Sequence, residues 1–173
     1  MTHSEDIINL VDVSGNRIGG VEKLVAHTTG QLHESFSIFV FNDLHELLLQ
    51  KRAIGKYHSG DLWSNTCCSH ARIHEPLDVA AHKRLQYEMG FNCDLKKLFS
   101  LTYELPMLNG LKEHEFDYVF VGHSEATPHP NPEEVSDFKW MGIDAIKKDV
   151  TNHPSAYTEW FKLFLCHPDF KVE

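Results

Sequence analysis

No stretch of about eighteen apolar residues occurs in this chain of 173, so the sequence offers no helix to cross a membrane. Basic residues are also scarce. Sixteen Lys and Arg against 25 Asp and Glu give a formal net charge of −9, which leaves no basic face for nucleic acid or an anionic membrane. A small anionic ligand stays open, because a few well-placed cations suffice for it. The four cysteines, Cys67, Cys68, Cys93 and Cys166, include no CxxC pair, and no internal repeat or low-complexity run is visible. The opening MTHSEDIINL has no basic segment and no long apolar run, so it does not read as a signal peptide. The expected compartment is cytoplasmic, where structural disulfides are disfavoured. The length suggests one domain over residues 1–173, monomeric or homodimeric.

Histidine, by contrast, is abundant. Thirteen of 173 residues favour a metal site without locating it. The stretch LWSNTCCSHARIHE (62–75) puts Cys67, Cys68 and His70 close together. With a disulfide set aside, metal site, catalytic thiol and plain buried cysteine remain. If 68–70 is extended, Cys68 and His70 share a face and Cys67 takes the other.

Strands are expected at 7–13, 35–42, 46–52, 62–68, 95–105, 114–123 and 134–141, with turns at Ser14-Gly15-Asn16 and Asn42-Asp43. Helices are expected at 21–27, 76–90, 143–150 and 154–166; Pro76 and Gly90 punctuate the second. Mostly strands, with one central helix and a helical end, suggest an α+β or α/β/α layered fold.

Two patterns put charge where apolar residues belong. On the 76–90 helix, Leu77, Ala80, Ala81 and Leu85 form an apolar arc, and Arg84 and Glu88 project into its middle. Taken alone this reads as an i,i+4 ion pair under the sheet; the functional alternative is a carboxylate and a guanidinium facing a pocket. Glu113 and Glu115, two apart, point to one face of a strand. Alone they read as a solvated strand end, although paired carboxylates also bind hard metals or move protons. His27 and His33 flank a turn before a buried strand. With His70 and the two glutamates they would enclose one divalent ion, a spacing far less specific than a zinc finger. Trp160 sits in an apolar stripe read as core, and the remaining histidines, His58 among them, read as surface or packing.

Taken in order, EKLVAHTTGQLHESFSIFVF, LWSNTCCSH, LQYEMGF, LTYEL, KEHEFDYVF and YTEWF resemble the type I isopentenyl-diphosphate isomerases over nearly the whole chain. The resemblance implies a Nudix-like α/β/α sandwich with a mixed central sheet, added N-terminal strands and C-terminal helices. It implies that Cys68 is the catalytic thiol, Glu115 the second acid–base with Tyr103 beside it, and Trp160 the aromatic facing the reacting carbons. His27, His33, His70, Glu113 and Glu115 would hold one ion, Mn²⁺, Zn²⁺ or Mg²⁺. Glu88 would hold Mg²⁺ arriving with the diphosphate, and Lys23, Arg52, Lys56 and Arg84 would grip the phosphates. The chain departs from the pattern in four places: Tyr87 stands where Nudix hydrolases carry a glutamate, Ala71 replaces a proline, the spacing from His27 to His33 is one residue short, and the loop after Lys56 (KYHSG) is short, the last two bearing on where His33 and Lys56 lie.

The implied reaction moves the double bond of a five-carbon alkenyl diphosphate through a tertiary carbocation, in isoprenoid biosynthesis. It needs two proton carriers, an electron-rich ring and exclusion of water. The expected allocation is protonation from the Glu115 side and proton removal by Cys68 as thiolate. The rivals are a Nudix-type diphosphate hydrolase and a non-catalytic metal-binding module.

Overall fold

The computed structural model describes residues 7–107 and 109–171. Nine strands form one curled mixed sheet: β1 (Ile7–Val11), β2 (Arg17–Glu22), β3 (His33–Phe41), β4 (Glu46–Arg52), β5 (Trp63–Ser64), β6 (Cys67–Ser69), β7 (Leu95–Pro106), β8 (Lys112–His123) and β9 (Val135–Gly142). The helices are α1 (Lys23–Thr29), α2 (Leu77–Met89), α3 (Ile143–Asn152) and α4 (Glu159–Cys166). None among the described residues is long and apolar enough to cross a membrane.

At the centre β3 and β8 run parallel over nine pairs, from His33↔Glu115 to Phe41↔His123. Every residue of β3 is buried, as a strand covered on both faces must be. Its alternate side chains enter two cores. Phe36, Ile38 and Val40 pack with Ala81 and Leu85 of α2, while Phe39 and Phe41 pack with Ile146 of α3 and Phe161 and Phe164 of α4. The result is the expected layered α+β arrangement, with β1 and β2 as an added N-terminal hairpin. The polar residues of β3, His33, Glu34, Ser35 and Ser37, are buried at its N-terminal half. That end builds the site.

Two expected elements break, and both breaks shape the site. The strand expected over 62–68 divides into β5 and β6 because Asn65 and Thr66, both fully buried, supply side-chain bonds where a ladder would run. Asn65 Nδ2 donates to the Ile38 and Cys67 carbonyls, at 3.2 and 2.8 Å. Thr66 Oγ1 accepts from the Val40 N–H at 2.9 Å and donates to the Leu48 carbonyl at 2.7 Å. β6 then pairs with β3, Cys67 opposite Ile38 and Cys68 opposite Ser37, so the vicinal cysteines face opposite sides as expected. The helix expected over 154–166 becomes a short 3₁₀ turn (Pro154–Ala156) followed by α4. Between them Thr158 donates its N–H to the Trp63 carbonyl at 3.0 Å, and its Oγ1 lies 2.9 Å from Ser64 Oγ. This sheet contact overrides helix propensity and fixes where Trp160 enters.

α2 ends at Gly90, in the left-handed region at φ +75°, where a Cβ would lie 2.3 Å from the His129 carbonyl oxygen. Only glycine meets both demands. The returning chain bonds the helix end, His129 N–H to Met89 O and Asn131 N–H to Glu88 O, each 2.9 Å, which delivers Glu134 beside Arg84.

Candidate active site

Strand register assembles the site. On β8, Glu113, Glu115 and Asp117 alternate inward and are 4, 5 and 1 % exposed. Glu115 stands between Tyr103 of β7 and His33 of β3. Tyr103 Oη donates to Glu115 Oε2 at 2.5 Å, and His70 Nε2 lies 2.8 Å from Glu115 Oε1. His27 enters from the last turn of α1.

The histidine orientations are chemically informative. His27 Nδ1 lies 2.8 Å from the Lys23 carbonyl and His33 Nδ1 2.8 Å from the Gln31 carbonyl. Each Nδ1–H donates outward, so Nε2 points inward and in the neutral ring presents a lone pair there; both Nε2 atoms are buried without a hydrogen-bond partner. Burying such acceptors unpaired is unfavourable. His27, His33, His70 and Glu115 each place one donor atom within 4.8 Å of the others, a mixed nitrogen and oxygen set that suits a divalent ion.

Burial sets the protonation states. It pushes the Cys68 thiol up to about 12, with Arg52 opposing and nearby carboxylates reinforcing the rise. Burial holds His70 down at about 3, hence neutral. Glu115 is also buried, but the His33 and His70 rings outweigh that and keep it well below the ordinary carboxylate range. Asp117 goes the other way: burial and then the Glu115 charge raise it, while Ser35 and Ser37 hydroxyls donate to its Oδ2 at 3.0 and 2.9 Å. Burial and the ring contacts thus shift Cys68 toward the thiol and Glu115 toward the carboxylate.

One pocket is lined by Cys68, Tyr103, Glu115 and Trp160 together with Lys23, Arg52, Lys56 and Arg84. Burial, then repulsion from Arg84 and Lys56, lowers the Lys23 pKa, the mark of cations gathered in one place. Glu134 bridges two of them: it pairs with Lys56 and lies 2.7 Å from Arg84. Arg52 is 7 % exposed. It bonds the Ser59 and His58 carbonyls at 3.1 and 3.2 Å and lies 5.2 Å from the Trp160 ring centroid. Trp160 is core and pocket wall at once, 3 % exposed, with its Nε1–H donated to Ser64 Oγ at 3.1 Å. Glu88 lies under Arg84 rather than on the pocket wall, its oxygens 2.6 Å from Arg84 and 2.7 Å from Gln50 Nε2. The i,i+4 ion pair and the guanidinium facing a pocket thus coexist.

A NUDIX domain model matches residues 31–161. Isopentenyl-diphosphate Delta-isomerase 2 of Aromatoleum aromaticum is 49 % identical over 90 % of this chain and 82 % of its own length. The enzyme of the same name from Photorhabdus laumondii is 48 % identical over 91 % of this chain and 89 % of its own. The chain belongs to the type I isopentenyl-diphosphate isomerase family. The Nudix fold of this isomerase is shared with much more distant proteins. A Deinococcus radiodurans crystal structure matches 91 % of the chain and 96 % of its own at TM-score 0.75 and 16 % identity. A MutT NUDIX hydrolase from Burkholderia pseudomallei matches 78 % of the chain and 96 % of its own at TM-score 0.62 and 19 % identity.

Within the isomerase site, four side chains escaped the sequence reading. His58, expected at the surface or in plain packing, is 9 % exposed and lines the pocket with Nε2 2.7 Å from Glu113 Oε1. Tyr57 precedes it, its ring 5.0 Å below Lys23 Nζ. Glu134 has no local signal, because its partners come from residues 50 and 78 positions away. Asp117 had one: it continues the Glu113, Glu115 alternation by another two residues. Tyr87 is 49 % exposed, and Ala71 is fully buried in the α2-side core. His3 lies outside the described residues.

Proposed function

We propose that this isomerase interconverts isopentenyl and dimethylallyl diphosphate in isoprenoid biosynthesis, with Cys68 and Glu115 as the proton carriers. The observation that carries this reading is a single pocket walled by a thiol, a carboxyl–phenol pair, an indole and four cations. The cations hold the diphosphate and so fix the hydrocarbon end, converting recognition into positioning. The Trp160 ring, which already accepts the Arg52 guanidinium at 5.2 Å, offers its face to the positive charge that develops on the substrate. Tyr103 orients Glu115 through the 2.5 Å bond.

His27, His33, His70, Glu113 and Glu115 would hold a Mn²⁺, Zn²⁺ or Mg²⁺ ion, and Glu88 a Mg²⁺ with the diphosphate; such ions would fix the carboxylates and neutralise phosphate charge. The chain's own groups carry the protons. One must be added at the terminal carbon and another removed at C2, so the pair needs one member protonated and one ionised. The upward shift of the Cys68 thiol and the downward shift of Glu115 favour a proton on sulfur and a charge on the carboxylate. The expected allocation, donation from the Glu115 side and a Cys68 thiolate, therefore requires the proton to pass from sulfur to carboxylate before chemistry. Donation from Cys68 requires no such transfer.

Incubation with isopentenyl diphosphate in heavy water, with and without chelator, tests the reading. Deuterium in dimethylallyl diphosphate only when metal is present supports it. Release of phosphate would instead favour the hydrolase, and no reaction the binding module.

A further inference from the structure

The connection between β4 and β5 carries Lys56, Tyr57 and His58 in succession. It turns through Ser59 and Asp61, both non-glycine residues in the left-handed region at φ 51° and 64°, a conformation that must be held from outside. Arg52 holds it through the His58 and Ser59 carbonyls. The loop's second anchor is the His58 ring, set edge-on to Trp160 at 5.7 Å between centroids and with Nε2 2.7 Å from Glu113 Oε1.

The tautomer of His58 is opposite to that of His27 and His33. In those two rings Nδ1 faces a backbone carbonyl, which only accepts, so Nε2 is left as a lone pair. In His58, Nδ1 faces the Ser59 hydroxyl at 3.2 Å, a group able to donate. Nε2 faces a carboxylate oxygen at 2.7 Å, which demands a hydrogen on Nε2. His58 and Glu113 both fall outside the four-donor group of His27, His33, His70 and Glu115; they cluster with each other and with His27, which belongs to both groups. Glu113 Oε1 is 3.5 Å from His27 Nε2 on one side and 2.7 Å from His58 on the other.

We infer that His58 is a positioning residue that donates Nε2–H to Glu113, aims this carboxylate at the histidine-lined metal centre, and ties the Lys56 loop to that centre. The inference rests on the proposed reading only in requiring that the centre bind a divalent ion. Partners of this kind, one shell out from a metal, typically contribute about 10–100-fold to metal affinity.

The test measures Zn²⁺ affinity of the full chain by chelator competition for wild type, His58→Ala, His58→Gln and His33→Ala, with circular dichroism to confirm folding. X-ray absorption then counts imidazoles on bound Zn²⁺. The expected result is a loss of about 10–100-fold in His58→Ala, with most of it restored in His58→Gln, whose amide N–H can reach Glu113. The imidazole count should be the same in wild type and His58→Ala. Should His58→Ala fail to fold, full affinity in His58→Gln supports the inference and a loss equal to that of His33→Ala overturns it. Wild-type affinity in a folded His58→Ala overturns the positioning role alone. One imidazole fewer in His58→Ala makes His58 a ligand and also overturns it. Failure of the wild type to bind Zn²⁺ overturns the metal centre itself.

Discussion

Cys68 and Trp160 show how much one side chain decides here. Burial raises the Cys68 thiol to about 12. In metal-free protein its alkylation by iodoacetamide should therefore keep rising with pH through pH 10, rather than levelling near about 8.5–9 as an unperturbed thiol does. A plateau near 9, read by mass spectrometry of the Cys68 peptide, would contradict that state. Cys68→Ser should lower turnover by about 10²–10⁴-fold while chelator competition finds metal affinity unchanged. Trp160 combines packing with a pocket wall. Trp160→Ala should cost about 3–5 kcal/mol of stability and most of the turnover. Trp160→Phe loses the Ser64 hydrogen bond but keeps an aromatic face, so denaturant melts and steady-state rates should place it between wild type and Trp160→Ala. Equal turnover for the two variants would remove cation stabilisation from the role of this ring.

At the scale of elements, the site depends on joints between segments. The C-terminal cap of α2 is one. Gly90→Ala forces a Cβ to within 2.3 Å of the His129 carbonyl at positive φ and should destabilise the fold by more than about 1 kcal/mol. Because the same joint delivers Glu134 to Arg84, the variant should also raise KM for the diphosphate, measured in parallel with a urea melt. An unchanged KM would separate the cap from the phosphate pocket. The break between β5 and β6 is a second joint, where Asn65 and Thr66 replace ladder bonds and so turn Cys68 to the pocket. Periodicity located α2, β7 and β8 within two residues of their ends. It could not reveal the break in 62–68, which arises from Asn65 and Thr66 bonding Ile38, Val40 and Leu48, or the break in 154–166, which arises from Thr158 meeting Trp63 and Ser64 some ninety positions away.

Across the whole molecule, four elements converge on one centre: α1 gives His27, β3 His33, β8 the glutamates, and the segment after β6 His70. An ion held there binds only the folded state. At a hundredfold excess over its dissociation constant it adds about 2.7 kcal/mol, or roughly 5–11 °C in melting temperature for a chain of this size. Scanning calorimetry with Mn²⁺ or Zn²⁺ and then with chelator should show that drop. His33→Ala should lose it, and the same melting temperature with and without metal would argue against the centre. The parallel β3–β8 register fixes the donor set, because slipping one strand by one residue would turn His33 or Glu115 into the opposite core.

The sequence by itself determined the family, the layered fold, the opposite facing of Cys67 and Cys68, and the list of groups that chemistry would require. It did so because alternation and helical spacing are local properties, and because the motifs keep their order along the chain. Only the tertiary structure decided that His58 lines the pocket beside Glu113, that Glu134 joins Lys56 to Arg84, that Glu88 lies beneath Arg84, and that burial raises the Cys68 thiol. Each of these depends on burial and on partners distant in sequence. Desolvation and tautomer choice exist only once the surrounding groups are in place.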